Sequence, residues 1–211
     1  MFNNYKDRKL VNQITADLNE VVEKNQDNNS NVNKVEENVA EPQKINDLFN
    51  ELLDVNKDTV GWLKVNDTTI DYPVVQTDNN DYYLNNDYYR NKNYNGWIFA
   101  DYRNNLNDLD QNTIIYGHNK YLNQTMFGTL NNVLSDSWID NADNQIIIFN
   151  NLYKDMRWQI FSIYKINNTN DYLTTSFASK TAYKKFLRII TTRSIKDFNV
   201  EVTTNDKILT L

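Results

Sequence analysis

The stretch TIIYGHN, residues 113–119, holds the single histidine of the chain, and the reading of everything around it turns on that residue. Thr113, Ile114 and Ile115 are β-branched and read as a buried strand. Tyr116 and Gly117 follow, the glycine leaving room for a substrate beside the imidazole of His118 at the strand's C-terminal end. A lone catalytic histidine ordinarily activates a cysteine or a serine, and the chain contains no cysteine. Position alone leaves two readings open: a working acid–base group, or an idle histidine hydrogen-bonded at a strand end.

Around this stretch the pattern is that of short strands. GWLKV (61–65) and TTIDYPVV (68–75) read as a pair joined by the turn Asn66-Asp67. GWIFADYR (96–103), QIIIFNN (145–151), RWQIFSIYKI (157–166), FNVEVTT (198–204) and DKILTL (206–211) are rich in β-branched and aromatic residues. Ile45, Leu48, Phe49, Leu52 and Leu53 form a stripe with helical spacing. A second helix is expected within 179–194, with Tyr183, Phe186, Leu187 and Ile190 on its buried face and Lys180, Lys184, Lys185 and Arg188 largely outside it. About eight short strands with few helices predict a mixed β-barrel flanked by helices.

Residues 1–42 differ from the rest. Val11, Ile14, Leu18 and Val21 recur at helical steps, and the Asn-rich, acidic stretch from Lys24 to Pro42 reads as a flexible polar tether. The expected division is therefore a helix with tether over 1–42 and a compact domain over 43–211.

Composition excludes several function classes. A formal charge of −6 leaves no basic surplus for a nucleic acid. No apolar run reaches the roughly 18 residues of a membrane span, and the chain reads as soluble. Without cysteine there are no disulfides or thiolate metal sites, and one histidine makes a zinc site improbable. Gly61, Gly96, Gly117 and Gly128 are the four glycines. None belongs to a dinucleotide, P-loop or nucleophile-elbow motif.

Several motifs, in order and spacing, resemble the class B sortases: YPVVQTDNNDYYLNNDYY (72–89), GWIFADYRNN (96–105), NTIIYGHN (112–119) with TMFGTL (125–130), WQIFSIYKI (158–166) with NDYL (170–173), and the terminal DKILTL. The likeness runs from about Ile45 to Leu211. It implies a mainly β, sortase-like eight-stranded barrel with N-terminal helices, its last strand absent from this chain. It also implies a cysteine transpeptidase that cleaves a sorting signal of the NPQTN kind and passes the acyl group to a peptidoglycan amine.

On this resemblance His118 matches the family's catalytic histidine. Thr210 and Leu211 match the first two letters of TLSTC, so the nucleophilic cysteine would fall three positions beyond Leu211 and the catalytic arginine further on. Asn80 and Leu84 match positions lining the peptide groove, Tyr172 and Leu173 match a loop wall, and Asn168 matches a position just ahead of it. Asp101 and Arg103, in the family's DYR, are expected to form a structural ion pair. No metal or organic cofactor is implied. The expected partners are a sorting-signal peptide and peptidoglycan or its precursor, with no nucleic acid. The implied location is the outer face of the cell membrane, held by an N-terminal anchor outside these residues. The alternatives are a sortase-like module that only binds peptide or cell wall, and a purely structural surface domain.

Overall fold

The computed structural model describes residues 2–28, 45–167 and 171–211. The expected tether from residue 29 to 42 and the site candidate Asn168 lie outside the described residues. Helix α1 (Phe2–Asn28) is followed by α2 (Leu48–Val55), β1 (Thr59–Lys64), β2 (Asp71–Val75), β3 (Phe99–Ala100) and β4 (Asn112–Tyr116). Then come β5 (Asn119–Lys120), β6 (Thr125–Met126), the short α3 (Asp136–Ile139), β7 (Ile146–Asn151), β8 (Arg157–Gln159), α4 (Lys180–Arg193) and β9 (Ile208–Thr210).

Seven strands form one sheet in the order β8-β7-β1-β2-β3-β4-β9, and β5 pairs with β6 in a separate ladder. Strands β1 and β2 are the hairpin expected from the sequence. Their turn places Asp67 at φ 51°, a left-handed conformation that Asp tolerates. Two junctions are parallel: β2 meets β3 through Val75 and Phe99, and β4 runs alongside β9 with Asn112 facing Ile208 and Ile114 facing Thr210. The sheet curls into a nearly closed barrel. Its edges β8 and β9 both wall an apolar cleft of about 930 Å³, together with residues 160–166 and Val200, Glu201 and Val202.

The strand-rich sequence is only partly realised as ladder. RWQIFSIYKI pairs over 157–159 alone, and FNVEVTT belongs to no strand. Both segments border the cleft, where among the described residues no neighbouring backbone completes a ladder for them. β-propensity reports fitness for a pleated, half-buried surface, and a strand forms only when a second backbone supplies its hydrogen bonds.

The helices follow their periodicity. Phe49 and Leu52 of α2 are completely buried, each such side chain contributing roughly 1.5–3 kcal/mol. In α4 the buried residues are Tyr183, Phe186, Leu187 and Ile190, the face expected from spacing. Its first turn is closed by Ser179, whose hydroxyl accepts from the Ala182 N–H at 3.1 Å. Helix α1 reaches Asn28 and so runs into the expected tether. It buries Val11, Ile14 and Leu18 in the same core as Trp62, Tyr72 and Trp97.

Candidate active site

Strand β4 is the spine of the site. Asn112 and Tyr116 lie four residues apart and so face the same way, and His118 follows two residues after Tyr116. The His118 carbonyl accepts from the backbone N–H groups of Lys120 and Phe127, both at 3.0 Å, which anchors the residue at the root of the β5–β6 hairpin. The half-buried imidazole reaches the other way, its Nε2 lying 2.8 Å from the Leu84 carbonyl oxygen. A carbonyl can only accept, so Nε2 carries the proton in this contact and Nδ1 is left as the free basic nitrogen.

The Leu84 carbonyl is itself firmly placed. It ends a 3₁₀ turn, Tyr82–Leu84, whose entry is fixed by the Asn79 side-chain oxygen accepting from the N–H groups of Asp81 and Tyr82, both at 2.9 Å. Tyr83 is buried, and its hydroxyl donates to Asp58 at 2.7 Å while accepting from Asn56 at 2.8 Å. The Trp97 N–H closes the turn from the other side by donating to the Tyr83 carbonyl at 2.9 Å.

Gly96 stands where this turn and the imidazole meet. Its φ is +61°, and a Cβ there would lie 2.5 Å from the Tyr83 carbonyl oxygen, 2.8 Å from that of Leu84 and 3.0 Å from His118 Cδ2. Gly96→Ala is therefore expected to cost more than about 1 kcal/mol and to displace the imidazole. Urea unfolding reads the first effect. The second shows in the ring-proton NMR signals, which a single histidine makes unambiguous. An unshifted histidine signal would mean that the turn yields without disturbing the site.

The other sequence candidates gather around one buried carboxylate. Asp101 accepts from the Arg103 backbone N–H at 2.9 Å, from Arg103 Nε at 2.8 Å and Nη2 at 2.7 Å, from the Tyr116 hydroxyl at 2.8 Å and from Asn80 Nδ2 at 3.1 Å. Burial alone would push this carboxyl upward. The hydrogen bonds from Arg103, Tyr116 and Asn80 outweigh that effect and hold it at about 2, so it is ionised at neutral pH. Burial and then the Asp101 carboxylate push the Tyr116 phenol up, which keeps it a donor. Arg103 also donates to the Leu173 carbonyl at 2.8 Å, and Asn112 Nδ2 donates to the carbonyls of Tyr172 at 3.3 Å and Thr174 at 2.9 Å.

Asn80, Leu84, Tyr172, Leu173 and His118 are thus all tied to β4 or to its neighbour β3. Tyr116 and Asn112 were not singled out from the sequence, and the only signal available was their even spacing ahead of His118. Tyr116, Gly117 and Tyr172 also line the cleft between β8 and β9. Among the described residues no group of three or more His, Asp or Glu side chains is placed to hold a metal ion, and no helix is long and apolar enough to cross a membrane.

The fold, with a histidine just beyond the end of β4, has known counterparts. A Sortase domain family model matches residues 63–209. Sortase B of Staphylococcus aureus is 39% identical over 163 residues, which cover 77% of this chain and 66% of that protein's length. Sortase B of Listeria monocytogenes is 35% identical over 167 residues, covering 79% of this chain and 67% of that protein. A Staphylococcus aureus sortase B–substrate complex superposes with a TM-score of 0.81 at 32% identity, over 99% of this chain and 88% of that one. The chain belongs to the sortase family of cysteine transpeptidases, in its class B branch.

Proposed function

We propose that this domain carries out the acyl transfer of a class B sortase on a sorting-signal peptide of the NPQTN kind. The observation that carries the reading is the parallel register of β4 and β9. Ile114 faces Thr210, and continuing that register brings the third position beyond Leu211 opposite His118. The family resemblance puts the TLSTC cysteine at that same position. Neighbouring strands lie about 4.8 Å apart, close enough for a thiolate and an imidazole on the same face to exchange a proton.

In this mechanism the cysteine thiol passes its proton to His118 Nδ1, and the resulting thiolate attacks the carbonyl carbon of the signal's threonine, forming an acyl-enzyme as the peptide bond breaks. His118, through Nδ1, gives a proton to the departing amine and later takes one from the incoming amine. An arginine from the strand that follows supplies a fixed cation to the developing oxyanion. The acceptor amine belongs to peptidoglycan or its precursor, which sets the work at the outer face of the cell membrane. On the family's pattern the peptide's path is assigned to Asn80, Leu84, Tyr172 and Leu173, with Asn168 as a further candidate by sequence position.

The test compares two polypeptides. The 211-residue chain has no thiol and is expected to give no cleaved product from an NPQTN peptide above background. A version extended through Ser-Thr-Cys and a closing strand with arginine is expected to cleave it and to transfer the product to an amine. Robust turnover by the 211-residue chain would refute the mechanism. A coding sequence that continues past Leu211 without a cysteine would favour a binding module instead.

A further inference from the structure

The Asp101 carboxylate is overbuilt for a strand-end ion pair. Five donors converge on a side chain with no solvent exposure, whereas a carboxylate offers about four lone-pair sites. Its backbone is fixed as well, the N–H donating to the Ile114 carbonyl at 2.9 Å and the carbonyl accepting from Gln76 Nε2 at 2.8 Å. What distinguishes the donors is where they come from. Tyr116 belongs to β4, two residues before His118. Asn80 belongs to the loop that leads into the Tyr82–Leu84 turn. Arg103 reaches across to the 172–175 segment.

Each donor is held in one orientation. The Asn80 amide has its oxygen on the Tyr102 N–H at 2.9 Å and its nitrogen on the carboxylate at 3.1 Å, so its two ends cannot be exchanged without facing like against like. The Arg103 guanidinium grips the carboxylate as a fork through Nε and Nη2, and Nη2 spends its second hydrogen on the Leu173 carbonyl. A planar fork with a third donor in the same plane is something lysine cannot reproduce.

We propose that Asp101 and Arg103 are positioning residues of the peptide groove: the buried carboxylate sets the Asn80 amide and the Tyr116 hydroxyl on one wall, and Arg103 clamps the other wall to it through the Leu173 carbonyl. The proposal rests on the peptide-binding reading above and assigns the pair a role in holding the ligand's walls at fixed separation. Neither residue touches the reacting atoms. Arg103 is the better handle, because its side chain is 40% exposed and can be changed without opening the core.

The experiment uses the ¹⁵N-labelled 211-residue chain, titrated with a peptide containing NPQTN, in the wild type and in Arg103→Ala and Arg103→Lys. Without peptide, Arg103→Ala is expected to shift the amide signals of 172–175 and the side-chain signals of Asn80. Its amides in β1 and β7 should keep their hydrogen-exchange protection. Peptide affinity is expected to fall at least fivefold in Arg103→Ala and to recover only in part in Arg103→Lys. Unchanged 172–175 signals in Arg103→Ala would overturn the clamp. A loosened segment with undiminished affinity would overturn its role in the groove, as would full recovery by lysine for the fork. If the wild type shows no peptide-induced shifts anywhere, the peptide reading itself fails, and the clamp stands or falls on the 172–175 signals alone.

Discussion

Trp97→Ala is expected to lower the unfolding free energy by about 3–5 kcal/mol, a large share of the 5–15 kcal/mol typical of a domain. The indole is completely buried. It meets Tyr72 edge-on with ring centres 5.6 Å apart and Tyr88 at the same distance, and its Nε1–H donates to the Pro73 carbonyl at 2.9 Å. Truncation would remove the ring's contacts, leave a cavity and strand a buried acceptor. The Trp97 backbone N–H also closes the Tyr82–Leu84 turn, whose last carbonyl meets His118, so the substitution falls on a residue that supports the site. Urea unfolding measures the loss, and Trp97→Phe should recover part of it by refilling the space. A loss below about 1 kcal/mol would show that the barrel collapses freely around this position.

His118 is expected to matter greatly for activity and little for stability. In a polypeptide extended to carry the cysteine strand, His118→Ala should reduce transpeptidation by about 10²–10⁴-fold, the usual contribution of a positioned acid–base group. The half-buried ring adds little to the core, so the melting temperature should move by only a few degrees. His118→Gln sharpens the test. Its side-chain amide can still donate to the Leu84 carbonyl, but nothing replaces Nδ1. Equal loss of activity in both variants with the fold retained assigns the chemistry to Nδ1. If alanine unfolds the domain while the remaining folded fraction stays active, the histidine is structural.

Much of the local architecture was legible in the residues themselves. The buried face of α4, the stripe of α2 and the turn at Asn66-Asp67 follow from spacing and turn chemistry, which act within a few residues. The resemblance motifs, above all YGH at 116–118, pointed to the site histidine and to Asn80, Leu84, Tyr172 and Leu173. They did not reveal what holds those residues in place, and the ion pair expected of Asp101 and Arg103 proved to be one arm of a larger network.

Which strand-like segments pair was decided only in three dimensions. β-branched runs at 160–166 and 198–202 have the same local character as β4, yet only β4 finds a backbone on each side, from β3 and β9. The site shows the same division. His118 meets Leu84 from 34 residues away, Asn80 meets Asp101 from 21, and Arg103 meets Leu173 from 70. Sequence by itself determined the periodic faces and the turns, because those depend on neighbours along the chain, and its motifs marked His118 as the candidate reactive group. The tautomer of the histidine, the charge state of Asp101 and the joining of the groove walls depend on groups brought together by barrel closure, and no window of sequence contains them.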